Sequence, residues 1–271
     1  MTLDDMGLYE GVTIQVKDLG MFPHSLHHIL HALLARTSLT PSLTGPQIAW
    51  RTVFIIEYLG PLLIHPLMFL VRRRIYHNHG EPVPPASFAQ LLSLGMIVQH
   101  FLKREFETLF IHRFSNATMP AFNIFKNSAH YWMLAGLNIA LFTYSPAVPA
   151  QRPAPYGWWN AVAILLFVVG EVGNFSAHVT LMNLRSAGGS ERGIPTGGVF
   201  SMIPVTCPNY FFEIVAWIGI WMANRSLSTL LFLVVAGGQM AVWAKKKEMR
   251  YRREFGEKYG RNRFAMLPGI Y

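Results

Sequence analysis

Six apolar runs divide this 271-residue chain, at roughly residues 48–71, 86–102, 129–145, 158–178, 209–224 and 227–244. Several hold ~17–23 mostly apolar residues, which at ~1.5 Å per residue crosses the ~30 Å hydrocarbon core of a bilayer. One such run is compatible with a buried helix of a soluble protein; six in so short a chain are not. Charge points the same way. Only 14% of the residues are Asp, Glu, Lys or Arg, against ~25% in an ordinary soluble domain. The sequence therefore predicts an all-α, polytopic membrane protein with about six, or six to seven, transmembrane helices.

Basic residues set the expected orientation. With both termini in the cytosol, 18 of the 23 Lys and Arg fall on the cytosolic side, in agreement with the positive-inside rule. Arg72, Arg73, Arg74, Arg152 and Arg225 fall on the other. The formal charge of +9 thus gathers on one membrane face. No soluble basic domain is present to bind nucleic acid, so none is expected as a partner. Cys207 is the only cysteine, which excludes an intramolecular disulfide. The first residues are acidic and lack the apolar core of a signal peptide.

Against this background, polar groups inside the apolar runs stand out, because they are costly in a bilayer and usually functional. The fifth run opens Cys207-Pro208-Asn209-Tyr210-Phe211-Phe212-Glu213. The sixth leads into a cationic tail, from Lys245 to Arg253. Such a pairing suits an anionic cofactor held beside a buried apolar substrate. Glu57 lies in the middle of the first run, where a carboxylate must be protonated or paired, and Gln47 stands near that run's start. Lys103 and Arg104 follow the second run directly. Asn174, His178 and Arg185 recur at intervals of four and seven residues, which places them on one helix face. No Gly-x-Gly-x-x-Gly fingerprint occurs, so no Rossmann domain is expected. The eleven histidines show no clustered ligand spacing in the apolar core, and no metal is expected.

From Gln47 to Tyr271 the chain resembles the very-long-chain trans-2-enoyl-CoA reductases, the steroid 5α-reductase-like enzymes of fatty-acid elongation. The resemblance rests on residues 45–61 around Glu57, on Gln99-His100-Phe101-Leu102-Lys103-Arg104 with the following residues to 115, on residues 118–127, on Gly173-Asn174-Phe175-Ser176-Ala177-His178, and on the Cys207–Glu213 motif with its basic tail. His178 favours the enoyl-CoA branch, because steroid reductases usually carry Asp there.

The resemblance implies NADPH as cofactor, a very-long-chain trans-2-enoyl-CoA as substrate, and a multi-pass protein of the endoplasmic reticulum membrane with its site facing the cytosol. It also implies association with other elongase components. Saturating an enoyl thioester needs a hydride at C3, stabilisation of the enolate oxygen and a proton at C2. Tyr210 is the leading proton donor or enolate stabiliser on this reading. Lys103 and Arg104 bind a phosphate or polarise the thioester carbonyl, and Glu57 and Gln47 complete the catalytic set. Asn174, His178, Arg185, Asn209, Glu213, Arg250 and Tyr251 are the expected cofactor residues. The alternatives are a steroid or polyprenol reductase of the same superfamily, or a non-catalytic membrane scaffold or transporter.

The N-terminus departs from the family pattern. Residues 1–20 read as a remnant of the family's ubiquitin-like region, too short to bury a core. Residues 21–45 form an atypical insert before the reductase domain at 46–271. The insert is 25 residues long and thus a multiple of three nucleotides. Gly20-Met21-Phe22 is compatible with a common splice-donor sequence, as a retained intron requires; the rival reading is an amphipathic helix over residues 26–35, lying on the membrane.

Overall fold

The computed structural model describes residues 45–77, 82–114, 117–184, 193–260 and 263–271. The expectations for residues 1–20, for the insert up to residue 44 and for Arg185 lie outside the described residues. The chain divides into two units. The described part of the small unit is an antiparallel ladder of β1 (Gln47–Ala49) and β2 (Thr118–Pro120), with Ile48 opposite Met119. Gln47 sits here, exposed, and its side-chain amide donates to the Gly45 carbonyl.

The large unit is helical. α1 (Trp50–Ile75) and α2 (Phe88–Phe106) come first, and α2 runs into one wide π-turn, Glu107–Ile111. α3 (Asn123–Ser128), a π-helical stretch (Ala129–Asn138) and α4 (Ile139–Tyr144) follow. Then come α5 (Trp159–Asn183), the short α6 (Val199–Met202), α7 (Pro208–Asn224) and α8 (Leu227–Phe255).

Among the described residues three helices are long and apolar enough to cross a membrane: Trp50–Ile75, Trp159–Asn183 and Leu227–Tyr259. The other three apolar runs are helical too, but differ from simple spans. α7 has 17 residues, and the run at 129–145 is shared between the π-helical stretch and α4. Apolar stripes face outward, as lipid contact requires: Leu59, Leu63, Leu67 and Leu70 along α1, and Leu165, Val168 and Val172 along α5.

Inward, small residues decide how closely the helices approach. A Cβ on Gly170 of α5 would fall on the backbone of Ala216 in α7, and one on Gly219 of α7 would meet the backbone of Ala163 and Phe167. Close backbone approach through small residues is the usual route to tight helix contact in lipid, where no hydrophobic effect drives helices together. His65 performs a different task on α1. Its Nε2 donates to the Ala135 carbonyl (2.8 Å) and its Nδ1 accepts from the Tyr144 hydroxyl (2.9 Å), so one neutral ring joins α1 to the π-helical stretch and to α4. The last residues return to the start of α7: Val205 and Phe264 form a parallel bridge, and the Cys207 amide donates to the Ala265 carbonyl at 3.1 Å.

Candidate active site

The close crossing of α5 and α7 carries polar side chains into the interior, where α2 meets both. On α2, His100, Lys103 and Arg104 share one face, because residues three and four apart are helix neighbours. On α5 the same spacing aligns Glu171, Asn174 and His178. On α7 it aligns Asn209, Glu213 and Trp217.

The result is a continuous buried network. His100 Nδ1 lies 2.7 Å from Glu171 Oε1, and its Nε2 lies 3.2 Å from Glu213 Oε1. Lys103 Nζ donates to Asn174 Oδ1 (2.7 Å) and pairs with Glu171 Oε2 (3.1 Å). Arg104 donates to Glu107 Oε2 (2.6 Å) and to the Tyr58 hydroxyl of α1 (2.9 Å). Asn174 Nδ2 donates to the Asn209 carbonyl (2.9 Å) and to Glu213 Oε2 (3.0 Å), and the Trp217 indole donates to Glu213 Oε1 (3.3 Å).

His178 sits at the rim of the network, with Nδ1 3.0 Å from Glu107 Oε1 and 3.3 Å from Arg104 Nη1. Protonated on Nδ1 it donates to Glu107; protonated on Nε2 alone it accepts from Arg104. Burial raises the Glu107 carboxyl, but the Arg104 guanidinium, the bond to His178 and the Lys103 charge outweigh it and hold Glu107 well below the usual carboxylate range. Burial, with Arg104 and His178 adding to it, drives His112 far below an ordinary histidine.

Glu107, His112 and His178 bring three ligand-type atoms within 4.8 Å of one another, a convergence that sequence spacing did not reveal. Arg104 at 2.6 Å and Lys103 at 3.6 Å already neutralise Glu107. A metal there would be placed against two fixed cations, so the cluster is read as an ion-pair network.

The expected residues therefore divide. Asn174, His178, Asn209, Glu213, Lys103 and Arg104 come together. Lys103 and Arg104, expected to meet phosphate or a thioester carbonyl, are almost wholly engaged inside the network. Tyr210 lies one turn before Glu213, half-buried, its ring 6.5 Å from Trp243 and within electrostatic reach of Arg104, Tyr58 and Glu213. Glu57 is buried on α1; Asn127 hydrogen-bonds it, while Oε1 has no hydrogen-bond partner among the described residues. Arg250 and Tyr251 belong to α8: Arg250 lies over the Tyr251 ring, whose edge contacts reach Phe255 and Tyr259.

Sequence reasoning missed Tyr58, His100 and Glu171. Glu171 carried the same signal as Glu57, a carboxylate in the middle of an apolar run. His100 lay inside a quoted motif, but the carboxylates that mark its role are on other helices, 71 and 113 positions away.

One group is conspicuously unfinished. Asn209 Oδ1 is buried and has no hydrogen-bond partner among the described residues. Buried acceptors are normally satisfied, so this atom, on the residue whose backbone carbonyl accepts from Asn174, suits a donor supplied by a ligand. The carboxamide N–H of a nicotinamide has that chemistry, and the residues present fit such a cofactor.

Comparison with known proteins supplies the family. Residues 117–271 match the family described as 3-oxo-5-alpha-steroid 4-dehydrogenase. A Dictyostelium discoideum protein named very-long-chain enoyl-CoA reductase is 41% identical over 83% of this chain and 71% of its own length. A Schizosaccharomyces pombe protein carrying an enoyl-reductase name is 40% identical over 98% of this chain and 79% of its own. A Homo sapiens protein named trans-2,3-enoyl-CoA reductase-like is 30% identical over 83% of this chain and 62% of its own. With its helical membrane fold and a polar site at the α2–α5–α7 contact, the chain belongs to the very-long-chain enoyl-CoA reductases of the steroid 5α-reductase-like family.

Proposed function

We propose that this chain reduces the trans-2 double bond of a very-long-chain enoyl-CoA with NADPH, as the last step of a fatty-acid elongation cycle. Its site faces the cytosol from the endoplasmic reticulum membrane, beside other elongase components. The observation that carries this reading is the buried Asn209 Oδ1, without a hydrogen-bond partner among the described residues, on the residue whose backbone carbonyl accepts from Asn174 and which precedes Tyr210 in the chain. NADPH, when bound, supplies the hydride for C3.

The chain's own residues do the rest. Asn174, Asn209 and Glu213 receive the nicotinamide end of the cofactor. The cations of α8, Arg250 among them, with Tyr251 and Arg185, favour its phosphates and adenosine, since Arg matches phosphate geometry with two parallel donors. Tyr210 donates at the enolate oxygen or at C2. Lys103 and Arg104 act from inside the network, where they hold Asn174, Glu171 and Tyr58 in place. Glu57 is a buried carboxyl on α1 whose Oε1 has no hydrogen-bond partner among the described residues, suited to returning a proton to the site. The apolar outer faces of α1 and α5 let a long acyl chain remain in lipid.

Purified protein in detergent, given NADPH and a trans-2-enoyl-CoA, is expected to oxidise NADPH and release the saturated acyl-CoA. The steroid reading keeps a place because the matching family description names a steroid reaction. Turnover confined to a 3-oxo-4-ene steroid would reverse the assignment.

A further inference from the structure

His100 has no role in the reaction proposed above, yet it occupies the centre of the network. It projects from α2, is 2% exposed, and presents each ring nitrogen to a carboxylate on a different helix: Glu171 of α5 at 2.7 Å and Glu213 of α7 at 3.2 Å. A neutral imidazole has one N–H and one lone pair. Facing an ionised carboxylate on both sides, the ring needs both protons.

The charges of the cluster demand the same. Glu107, Glu171 and Glu213 bring three negative charges, Lys103 and Arg104 two positive ones. An uncompensated charge buried in a helix interior is strongly unfavourable. His178, whose Nδ1 lies 3.3 Å from the Arg104 guanidinium, carries no second charge there, so an imidazolium at His100 closes the balance. The other groups against the ring are apolar in character: the Phe101 ring at 5.0 Å and the Trp217 ring at 5.2 Å, both edge-on.

We propose that His100 is a positioning residue, a permanently protonated imidazolium that ties Glu171 and Glu213 together across three helices and so holds the Asn174–Glu213 pair in the arrangement that receives the nicotinamide cofactor. The inference rests on the reading that this end of α5 and α7 binds NADPH. Glu213 is the shared member: it accepts from Asn174 and Trp217 while facing His100. Without the imidazolium, Glu171 and Glu213 confront each other with a proton missing, and Glu213 is driven from its place. A proton on either carboxylate then substitutes for the lost one, so cofactor binding in such a variant gains an acid dependence that the native chain lacks. Glu171, Glu213, Lys103, Arg104 and Glu107 are the charged groups of the cluster, and His178 of α5, against Glu107 and Arg104, with Tyr58 of α1, against Arg104, are the further titratable groups that face it.

The test uses the full chain in detergent and NADPH affinity measured at mildly acidic and mildly alkaline pH. His100→Gln offers a donor to one carboxylate and only a carbonyl oxygen to the other. It is expected to bind NADPH about tenfold more weakly at alkaline pH, roughly the effect of losing ~1.4 kcal/mol, and to recover as the pH falls. Adding Glu171→Gln to His100→Gln removes the surplus charge and is expected to flatten the profile and restore affinity. Native affinity in His100→Gln with a flat profile overturns the proposal, as does a uniform loss that Glu171→Gln leaves unchanged.

A second measurement needs neither variant nor cofactor. In the native chain with isotope-labelled histidine, the ring-nitrogen spectrum at alkaline pH should retain one imidazolium while ordinary histidines are neutral. Absence of that signal overturns the proposal even if His100→Gln fails to fold. Failure of the native chain to bind NADPH, with the imidazolium present, defeats the functional reading and leaves the charge assignment standing.

Discussion

At the scale of single residues, Tyr210 and the network beneath it separate two kinds of effect. Tyr210→Phe removes one hydroxyl and little packing. Loss of one preorganised donor typically costs ~10²–10³ in rate, with NADPH affinity little changed, and single-turnover NADPH oxidation beside a separate binding measurement checks both. Near-native turnover would make Tyr210 an interfacial tyrosine of the kind that lines membrane proteins. Lys103→Ala has a different expected signature. It leaves Glu171 and Asn174 without their shared cation, and breaking one partner of a buried pair typically costs ~3–5 kcal/mol. The fold should therefore suffer along with activity, read as a lower unfolding temperature. The polar members of the site that interrupt an apolar run in isolation, such as Asn174 and Glu213, were legible in the sequence. Their pairing was not. His100 meets Glu171 and Glu213 across 71 and 113 positions, and nothing in helix periodicity encodes which faces of three separate helices will meet.

At the scale of elements, the α5–α7 crossing is the joint on which the site depends. Gly170→Val puts side-chain atoms where the Ala216 backbone lies. Overpacking commonly costs ~1–3 kcal/mol, and here the obstacle is backbone that cannot rotate away. The variant is expected to lower the yield of folded protein and the unfolding temperature, and to weaken NADPH binding through the displaced Asn174. Gly238 on α8 is the contrast. A Cβ there meets nothing within 4 Å, so Gly238→Ala should be neutral or stabilising, by up to ~1 kcal/mol from helix propensity; a clear loss in the same thermal assay would contradict that open space. The helices themselves were legible from apolar run length, and their bounds agree with the predicted runs within a few residues except where helices extend past the lipid-suited segment. α8 continues to Phe255 because Lys, Glu, Met and Arg are good helix formers even where they no longer suit hydrocarbon. The division of the run at 129–145 into a π-helical stretch and α4 was not legible, because winding there is set by contacts such as that between Ala135 and His65 on α1.

At the scale of the whole molecule, pH and cofactor should act on stability in directions the site fixes. His112 keeps its proton off in the fold, with burial and the neighbouring cations driving its pKa from 6.5 to about 2. Unfolded chain therefore binds more protons than folded chain below about pH 6.5, and stability is lost as pH falls through that window. Glu107, held below its ordinary 4.5, adds a loss of the same sign at lower pH. Unfolding temperatures in detergent should fall steadily on acidification, and His112→Gln should remove the upper part of that fall. If NADPH is the cofactor, as proposed, it should act in the opposite sense. A ligand bound only by the folded state at a hundred times its Kd stabilises by ~2.7 kcal/mol. No thermal stabilisation by NADPH would count against NADPH as the cofactor of this site.

The return of the last residues to Val205–Cys207 makes the entrance of α7 depend on residues made late in synthesis. Asn209 and Tyr210 follow directly on a segment whose backbone partners are Phe264 and Ala265, residues made more than fifty positions later. All the long helices can enter the membrane before those partners leave the ribosome. A chain truncated before residue 264 lacks the backbone partners of Val205–Cys207, and should accordingly remain helical and bind a nicotinamide cofactor far more weakly than the 271-residue chain.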